Sequence, residues 1–383
     1  MDYATANWMS DDHRLFVETV QQFFREEVVP HRERFSEQGC VDRKVWDKAG
    51  ELGILGAAIP EQYGGSGCPK SFDAVTALEQ GLSGDFDWGH GLQSIVIHYV
   101  IAFGTKAQKE AWLPKMASGE YVCAIGMSEP GAGSDLQAVR TFAEKTGNGY
   151  TINGQKTFIS NGQTADFILL VARTKKERAS DSISLFGIET KDLNGFERGR
   201  NLEKMGLAGQ DTSELFFNDV YVDGEALLGE TEGQGFYQLM QQLPWERLYI
   251  ALQSIGQMGY MLKQTVAYTK ERKAFGKRIF DFQNTRFELA AVKAKYEICK
   301  TYVDSCIEKF DAGNLDAVSA SIAKYFISDT QFEIADACLQ LFGGYGYMKE
   351  YPISYCFTAA RVQRIYGGTN EIMKELIARS LDT

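Results

Sequence analysis

The chain has 383 residues, of which 44% are hydrophobic and 24% charged, and its formal net charge is −11 at pH 7. This length exceeds the size at which one hydrophobic core keeps growing, so two or three domains are expected. The negative charge argues against nucleic-acid binding. No uninterrupted apolar run approaches the roughly 18 residues of a membrane-spanning helix, so we expect no stable membrane anchor.

The N-terminus, the cysteines and the histidines bear on location and metal content. Asp2, Asp11 and Asp12 precede the first apolar periodicity, which suits neither a secretory signal nor an Arg-rich transit peptide. We therefore expect a cytoplasmic protein, or one of the mitochondrial matrix if a transit peptide has been removed. The seven cysteines include no CxxC pair and the four histidines no HExxH spacing, so we expect reduced thiols and no metal site.

The first part of the chain has helical periodicity. Ser10 is suited to cap a helix whose first turn carries Asp11 and Asp12, because acids are favourable at the positive end of the helix dipole. Thr105 and Gln108 have the spacing of a capping box, which predicts a further helix ending near Gly119.

After Gly119 the pattern becomes strand-like and then helical again. Asn153-Gly154 lies between two alternating runs and predicts a hairpin with a type I′ turn. Branched and aromatic residues predict strands at 167–171 and 215–222. Helical periodicity returns near Gly235 and predicts long helices at 246–271, 282–312 and 315–341. We therefore predict an α+β protein with a helical domain at 1–119, a β domain at 120–232 and a helical bundle at 233–383.

Five motifs carry the functional information. In the stretch from Met127 to Asp135, small residues around Pro130 allow a backbone to approach a flat ligand closely and to offer N–H donors. Alone, this stretch would be interpreted as a Gly-rich surface loop. Four more motifs follow in order along the chain: Phe158–Gly162, Arg272–Arg278 with Gln283, Gln340–Gly346 and Ile365–Thr369. Neither a Rossmann fingerprint nor a P-loop is present.

These motifs, in this order, resemble the acyl-CoA dehydrogenase family over essentially the whole chain. The resemblance implies FAD and an acyl-CoA bound between a central β-barrel-like domain and a C-terminal four-helix bundle. It also implies an oligomer, because the family holds FAD across a subunit interface, and the family is usually a homotetramer. Electron-transfer flavoprotein is the electron acceptor that the family implies.

The resemblance further implies the residues of the site. Those near the flavin ring are Ile125, Met127, Ser128, Gly133, Phe158 and Ser160. Those that bind the rest of FAD are Arg272, Phe275, Gln283, Gln340, Gly344, Thr369 and Glu371. Contacts to the acyl-CoA are implied for Ser134, Arg247 and Gly368.

The catalytic base is not at the family's usual position. The reaction removes an α-proton while the β-hydrogen leaves as hydride to flavin N5, so a carboxylate must lie opposite the flavin. Many members supply it from a Tyr-Glu-Gly-Thr sequence, which here reads Tyr366-Gly367-Gly368-Thr369. In the long-chain and isovaleryl branches the base instead precedes an Arg on a helix, and Glu246 matches that position.

Two interpretations of Glu246 compete. Pro244 suits the first turn of a helix, where an acid is favoured by the dipole, so Glu246 alone would be interpreted as a helix-start residue. With glycine at 367, the resemblance implies instead that Glu246 is the base. A glycine keeps its backbone N–H, so Gly367 is expected to help bind the thioester oxygen.

The resemblance narrows the substrate only in part. Gln340 to Leu381 is most similar to the long-chain branch, which implies a medium-to-long or methyl-branched acyl-CoA converted to trans-2-enoyl-CoA. Two alternatives remain. One is an acyl-CoA oxidase or flavin monooxygenase on the same fold, which would form peroxide vigorously or consume oxygen. The other is a non-catalytic acyl-CoA-binding protein, whose flavin no acyl-CoA would bleach.

Overall fold

A computed structural model describes residues 6–382. Its N-terminal part is helical, as predicted, and contains α1 Asp11–Phe23, α2 Arg32–Gln38, α3 Arg43–Glu51, α4 Ser71–Ser83, α5 His90–Phe103 and α6 Lys106–Ser118. The Ser10 side chain caps α1 by accepting from the N–H of His13 at 3.3 Å. Thr105 caps α6 by accepting from the N–H of Gln108 at 3.2 Å. Both predicted caps are confirmed.

The central part is one curled, mixed sheet. Its strands are β1 Cys123–Gly126, β2 Phe142–Thr146, β3 Gly149–Ser160, β4 Phe167–Arg173, β5 Ile183–Glu189, β6 Phe196–Asn201 and β7 Thr212–Asp223. The order is β1-β4-β2-β3-β7-β6, and β5 pairs with β4. The strands predicted at 167–171 and 215–222 are confirmed within β4 and β7. β4 is buried on both faces from Phe167 to Ala172, which explains its continuous apolar run.

The predicted hairpin turn at Asn153-Gly154 is wrong. β3 runs through both residues, because Asn153 pairs with Phe142 of β2 and Gly154 pairs with Phe217 of β7. The turn lies earlier, at Gly147, whose φ is +60°. Position 154 instead needs glycine because Thr141 lies close to its backbone: a Cβ there would be 2.5 Å from the Thr141 hydroxyl oxygen.

The C-terminal part is a helical bundle, as predicted, with a short hairpin. Its elements are α7 Gly235–Glu271, β8 Lys273–Ala274, β9 Lys277–Arg278, α8 Gln283–Asp311, α9 Ala317–Phe342, α10 Pro352–Val362 and α11 Asn370–Arg379. Pro244 does not begin a helix; it lies inside α7. Glu246 is therefore a mid-helix residue, and its interpretation as a helix-start acid is wrong.

Helix α5 connects the sheet to the C-terminal bundle. The Gln93 side chain accepts from the N–H of Cys123 on β1 at 2.8 Å. On the opposite side, His90 shares a 2.6 Å hydrogen bond with the Tyr249 hydroxyl of α7. The first turns of α5 are thus tied to both β1 and α7.

Three general properties concern membrane spans, cysteines and metal ions. Within residues 6–382, no helix is both long and apolar enough to cross a bilayer. All seven cysteines are free thiols. In the same described range, no group of three or more His, Cys, Asp or Glu side chains is arranged to hold a metal ion.

Candidate active site

The loop after β1 lies directly beside β3. Beyond Gly126 the chain makes a tight turn in which the N–H of Glu129 donates to the Ala132 carbonyl at 2.8 Å. The N–H of Thr157 on β3 donates to the Ser128 carbonyl at 3.0 Å. Ile125, Met127 and Ser128 are therefore held next to the second half of β3.

Phe158 lies at an irregularity in β3. The pairing of β3 with β7 shifts register between Lys156 and Ile159, Phe158 has φ +60°, and its side chain is 71% exposed. A left-handed non-glycine residue costs about 1–3 kcal/mol and marks functional sites more often than ordinary strands. The shift leaves Ser160 partly buried at the strand end, so Phe158 and Ser160 lie beside the loop that contains Ser128.

Open space surrounds the two loop glycines. A Cβ at Gly131 or Gly133 would meet no protein atom within 4 Å. Packing within the chain therefore does not require glycine at these positions. Because glycine has no side chain, a flat ligand can approach the exposed backbone closely at both positions. Ser134 follows and is exposed.

A buried ion pair fixes this loop to the sheet. Glu129 Oε1 accepts from Lys156 Nζ at 2.8 Å and from the Thr141 hydroxyl at 2.6 Å, and Lys156 is 1% exposed. Burial lowers the pKa of Lys156 to about 8, although Glu129 opposes the change. Burial also disfavours ionised Glu129, but Lys156 and Thr141 outweigh it and lower the pKa of Glu129.

Removing the acid of this pair should destabilise the protein strongly. Glu129→Leu leaves Lys156 as an uncompensated buried charge, which costs about 3–5 kcal/mol. The free energy of unfolding in urea measures the effect. Glu214→Leu is the matched control, because Glu214 pairs with Arg200, whose side chain is 77% exposed, and water screens such a pair so that it adds little to stability. Equal losses from the two variants would contradict this role of Glu129.

Glu246 is a buried carboxylate at the middle of the molecule. It is 6% exposed and accepts a 2.8 Å hydrogen bond from the Tyr99 hydroxyl of α5. Burial raises the pKa of Glu246, although the Tyr99 hydrogen bond and the charge of Arg247 oppose the rise. Arg247 is 5% exposed, and its Nε–H has no hydrogen-bond partner among the described residues. A buried donor of this kind calls for a further partner, such as water or a bound ligand.

Gly367 lies beside the helix that carries Glu246. A Cβ on Gly367 would lie 2.4 Å from Cδ1 of Ile250, which is one helical turn after Glu246 on α7. Gly367 and Gly368 have φ values of +64° and +91°, where glycine is favoured. Gly367 therefore packs against the residue that lies one turn after Glu246 on α7.

Lys324 of α9 holds the segment that contains these glycines. Its Nζ donates to the Gly368 carbonyl at 2.7 Å and to Asn370 Oδ1 at 2.9 Å. Burial lowers the pKa of Lys324 to about 7, and the charge of Arg247 adds to the change. Sequence reasoning missed Lys324; its position on the apolar face formed by Ala320, Ala323 and Ile327 was the available signal.

Most of the remaining predicted FAD residues lie at the outer end of the bundle. The Arg272 guanidinium lies 5.5 Å from the ring centroid of Tyr345, next to Gly344. Phe275 is 96% exposed with φ +52°. Gln283 and Gln340 are exposed at the start of α8 and near the end of α9. The structure thus brings Arg272 and Gly344 together on the surface.

Thr369 and Glu371 lie at the start of α11, on the segment that follows Gly368. The Thr369 side chain caps α11 by accepting from the N–H of Ile372 at 3.4 Å. Glu371 is exposed in the first turn of the helix.

A cleft of about 430 Å³ opens where the sheet meets the start of α7. Its lining residues are Ser180, Asp181, Gly233, Gln234, Phe236, Tyr237 and Met240. The Ser134 loop lies near this cleft, because Arg178 forms an ion pair with Asp135. Sequence reasoning did not identify the cleft, because its residues come from separate segments with no shared motif.

Comparison with known families covers nearly the whole chain. The acyl-CoA dehydrogenase N-terminal domain matches residues 10–120, the middle domain residues 124–220 and the C-terminal domain residues 233–381. The mouse mitochondrial long-chain specific acyl-CoA dehydrogenase is 48% identical over 97% of this chain and 87% of its own length. The mitochondrial isovaleryl-CoA dehydrogenase of Pongo abelii is 34% identical over 98% and 90%.

A solved structure gives the same result in three dimensions. The crystal structure of an acyl-CoA dehydrogenase from Geobacillus kaustophilus matches with a TM-score of 0.96 and 41% identity, over 99% of this chain and all of that one. The helical, β, helical architecture and the family predicted from the motifs are both confirmed. The chain therefore belongs to the acyl-CoA dehydrogenase family.

Proposed function

We propose that this protein is an FAD-dependent dehydrogenase that converts a medium-to-long or methyl-branched acyl-CoA to the trans-2-enoyl-CoA. Acyl-CoA dehydrogenation is the activity of the family, and similarity to the long-chain enzyme of mouse supports the substrate range. The observation that carries the mechanism is the buried carboxylate of Glu246, which Tyr99 hydrogen bonds and which lies one helical turn before Ile250, the residue that Gly367 packs against.

The residues around β1 and β3 fit a flat aromatic cofactor. The open backbone at Gly131 and Gly133 and the exposed ring of Phe158 form a cradle for the flavin, with Ser128 and Ser160 as hydroxyl partners. When bound, FAD accepts the β-hydrogen of the substrate as hydride at flavin N5.

Glu246 takes the α-proton. A carboxylate in an apolar site is a stronger proton acceptor than one in water, because burial disfavours its ionised form. The Gly367 N–H and the unpartnered Arg247 donor supply positive partial charge where the thioester oxygen becomes negative. Lys324 keeps the glycine segment in place through the Gly368 carbonyl.

The cleft at the start of α7 accepts the CoA portion. Its wall at Ser180 and Asp181 follows a basic stretch in which Lys175 pairs with Asp181 and Arg178 with Asp135. Lys176 is the residue of this stretch proposed to attract a phosphate group. Met240 of this wall lies on α7, the helix that also carries Glu246. Ser134 is a further contact to the CoA portion.

A homotetramer completes the cofactor site. Arg272, Phe275, Gln283, Gln340 and Gly344 lie on the outer surface of the bundle, where a second copy of the chain supplies the FAD that they hold. Phe275 is 96% exposed, so its ring is available to a second copy of the chain. Thr369 and Glu371, at the start of α11, contact the same FAD in this proposal. Electron-transfer flavoprotein is the proposed electron acceptor.

Oxygen reactivity tests this function against its closest alternative. Holoenzyme given palmitoyl-CoA in air should turn over slowly by itself and rapidly when electron-transfer flavoprotein or an artificial acceptor is added. Oxygen consumption and peroxide formation are the measurements. Vigorous peroxide formation without an acceptor would identify an oxidase and contradict the dehydrogenase assignment. FAD-loaded protein whose flavin never bleaches would support a non-catalytic binding protein.

A further inference from the structure

We infer that Tyr99 is a positioning residue that fixes the Glu246 carboxylate and sets the pH range over which it accepts a proton. The inference rests on the proposed role of Glu246. Tyr99 belongs to none of the motifs that resemble the family, and its pairing with Glu246 spans 147 positions of the chain.

The geometry supports a fixed donor. Tyr99 is 0% exposed, and its hydroxyl lies 2.8 Å from Glu246 Oε1. The neighbouring His98 shares a 2.8 Å hydrogen bond with Asp73 of α4, which fixes this turn of α5 against α4. The Tyr99 ring is itself fully buried, so packing restricts its movement. One carboxylate oxygen is held, and Oε2 is left for the α-proton.

The Tyr99 hydroxyl also acts electrostatically on the Glu246 carboxylate. Burial and the negative charge of Glu246 both raise the pKa of Tyr99 well above its usual value, so the hydroxyl remains a donor at every pH of interest. A donor favours the ionised form of a carboxylate. The groups that act on Glu246 are Tyr99 from α5, which lowers its pKa, and Arg247 from α7, which also lowers it, both against the effect of burial.

Tyr99→Phe should therefore move the acidic limb of the pH–rate profile for α-proton abstraction toward higher pH. The base works only when ionised, and loss of the donor raises its pKa further. A shift of one pH unit adds a loss of about tenfold on the acidic limb to the loss that poorer positioning of the carboxylate causes at every pH. Replacing Tyr99 by 3-fluorotyrosine, a stronger donor of the same shape, should move the limb in the opposite direction.

The experiment isolates the proton step from hydride transfer. FAD-loaded enzyme is incubated in deuterated water with a 3-thia-acyl-CoA, which has sulfur in place of the β-carbon, and α-hydrogen exchange is measured by mass spectrometry across pH. Tyr150→Phe is the matched control, because Tyr150 also donates to a glutamate, Glu232, at 2.8 Å but lies in the β domain. Its profile should equal the parent's.

The outcomes separate the inference from the function on which it rests. If Glu246→Gln exchanges at the parent rate, the proposed base is wrong. If Glu246→Gln abolishes exchange but Tyr99→Phe keeps the parent pH profile, only the inference is overturned. A loss of rate in Tyr99→Phe that is equal at all pH values also overturns it, because a purely structural role has that signature.

Discussion

Glu246→Gln should slow flavin reduction by acyl-CoA about 100- to 10 000-fold, the range that a positioned general base contributes. Glutamine has nearly the shape of glutamate and can still accept from Tyr99, so packing around α7 should not change. What it loses is the ability to take a proton. The effect should fall on the rate constant of reduction at saturating substrate rather than on the dissociation constant of acyl-CoA.

The control for this variant is Glu308→Gln, a substitution of an exposed acid on α8. It should reduce its flavin at the parent rate. FAD content and the binding of the enoyl-CoA product should match the parent in both variants. A near-parent rate of reduction in Glu246→Gln would show that another group removes the α-proton.

A carboxylate moved from position 246 to position 367 should restore activity only when Ile250 is shortened as well. A side chain at 367 begins 2.4 Å from Cδ1 of Ile250, which is far inside van der Waals contact. The variant Glu246→Gly with Gly367→Glu is therefore overpacked at Ile250, which costs about 1–3 kcal/mol, and it also carries the strain of a side chain at a φ of +64°. Adding Ile250→Ala opens the space and lets the new carboxylate reach the same α-carbon.

Urea unfolding and flavin reduction measure the two parts of this prediction. The triple variant should be more active than the double variant and far more active than Glu246→Gly alone. Ile250→Ala in the parent background is the control for the cavity, and it should keep the parent base and most of its activity. A triple variant that binds FAD but reduces it no faster than Glu246→Gly would contradict the shared position of the two carboxylates.

Local signals predicted much of the fold. The caps at Ser10 and Thr105 and the apolar run of β4 depend on neighbouring residues, so they can be recognised from sequence. Asn153-Gly154 and Pro244 misled because tertiary pairing overrides local preference: β2 and β7 flank the first pair, and packing keeps α7 helical through the proline. Both errors occurred where a residue type usually found at boundaries lies inside an element.

The site residues likewise fall into two groups: those that sequence motifs predict and those that only the structure reveals. Motifs that are contiguous in sequence, such as Met127–Asp135 and Tyr366–Thr369, were recognised by resemblance. Tyr99, Lys324 and the cleft at Met240 were not, because each depends on elements that only the fold brings together. No pattern near Tyr99 indicates a partner on α7.

The most direct test of the account is an anaerobic titration of the FAD-loaded protein with straight and methyl-branched acyl-CoAs of increasing length. Medium-to-long or branched substrates should bleach the flavin, with one trans-2-enoyl-CoA formed for each FAD reduced. Full flavin content with no bleaching by any acyl-CoA, or bleaching without an enoyl-CoA product, would contradict it.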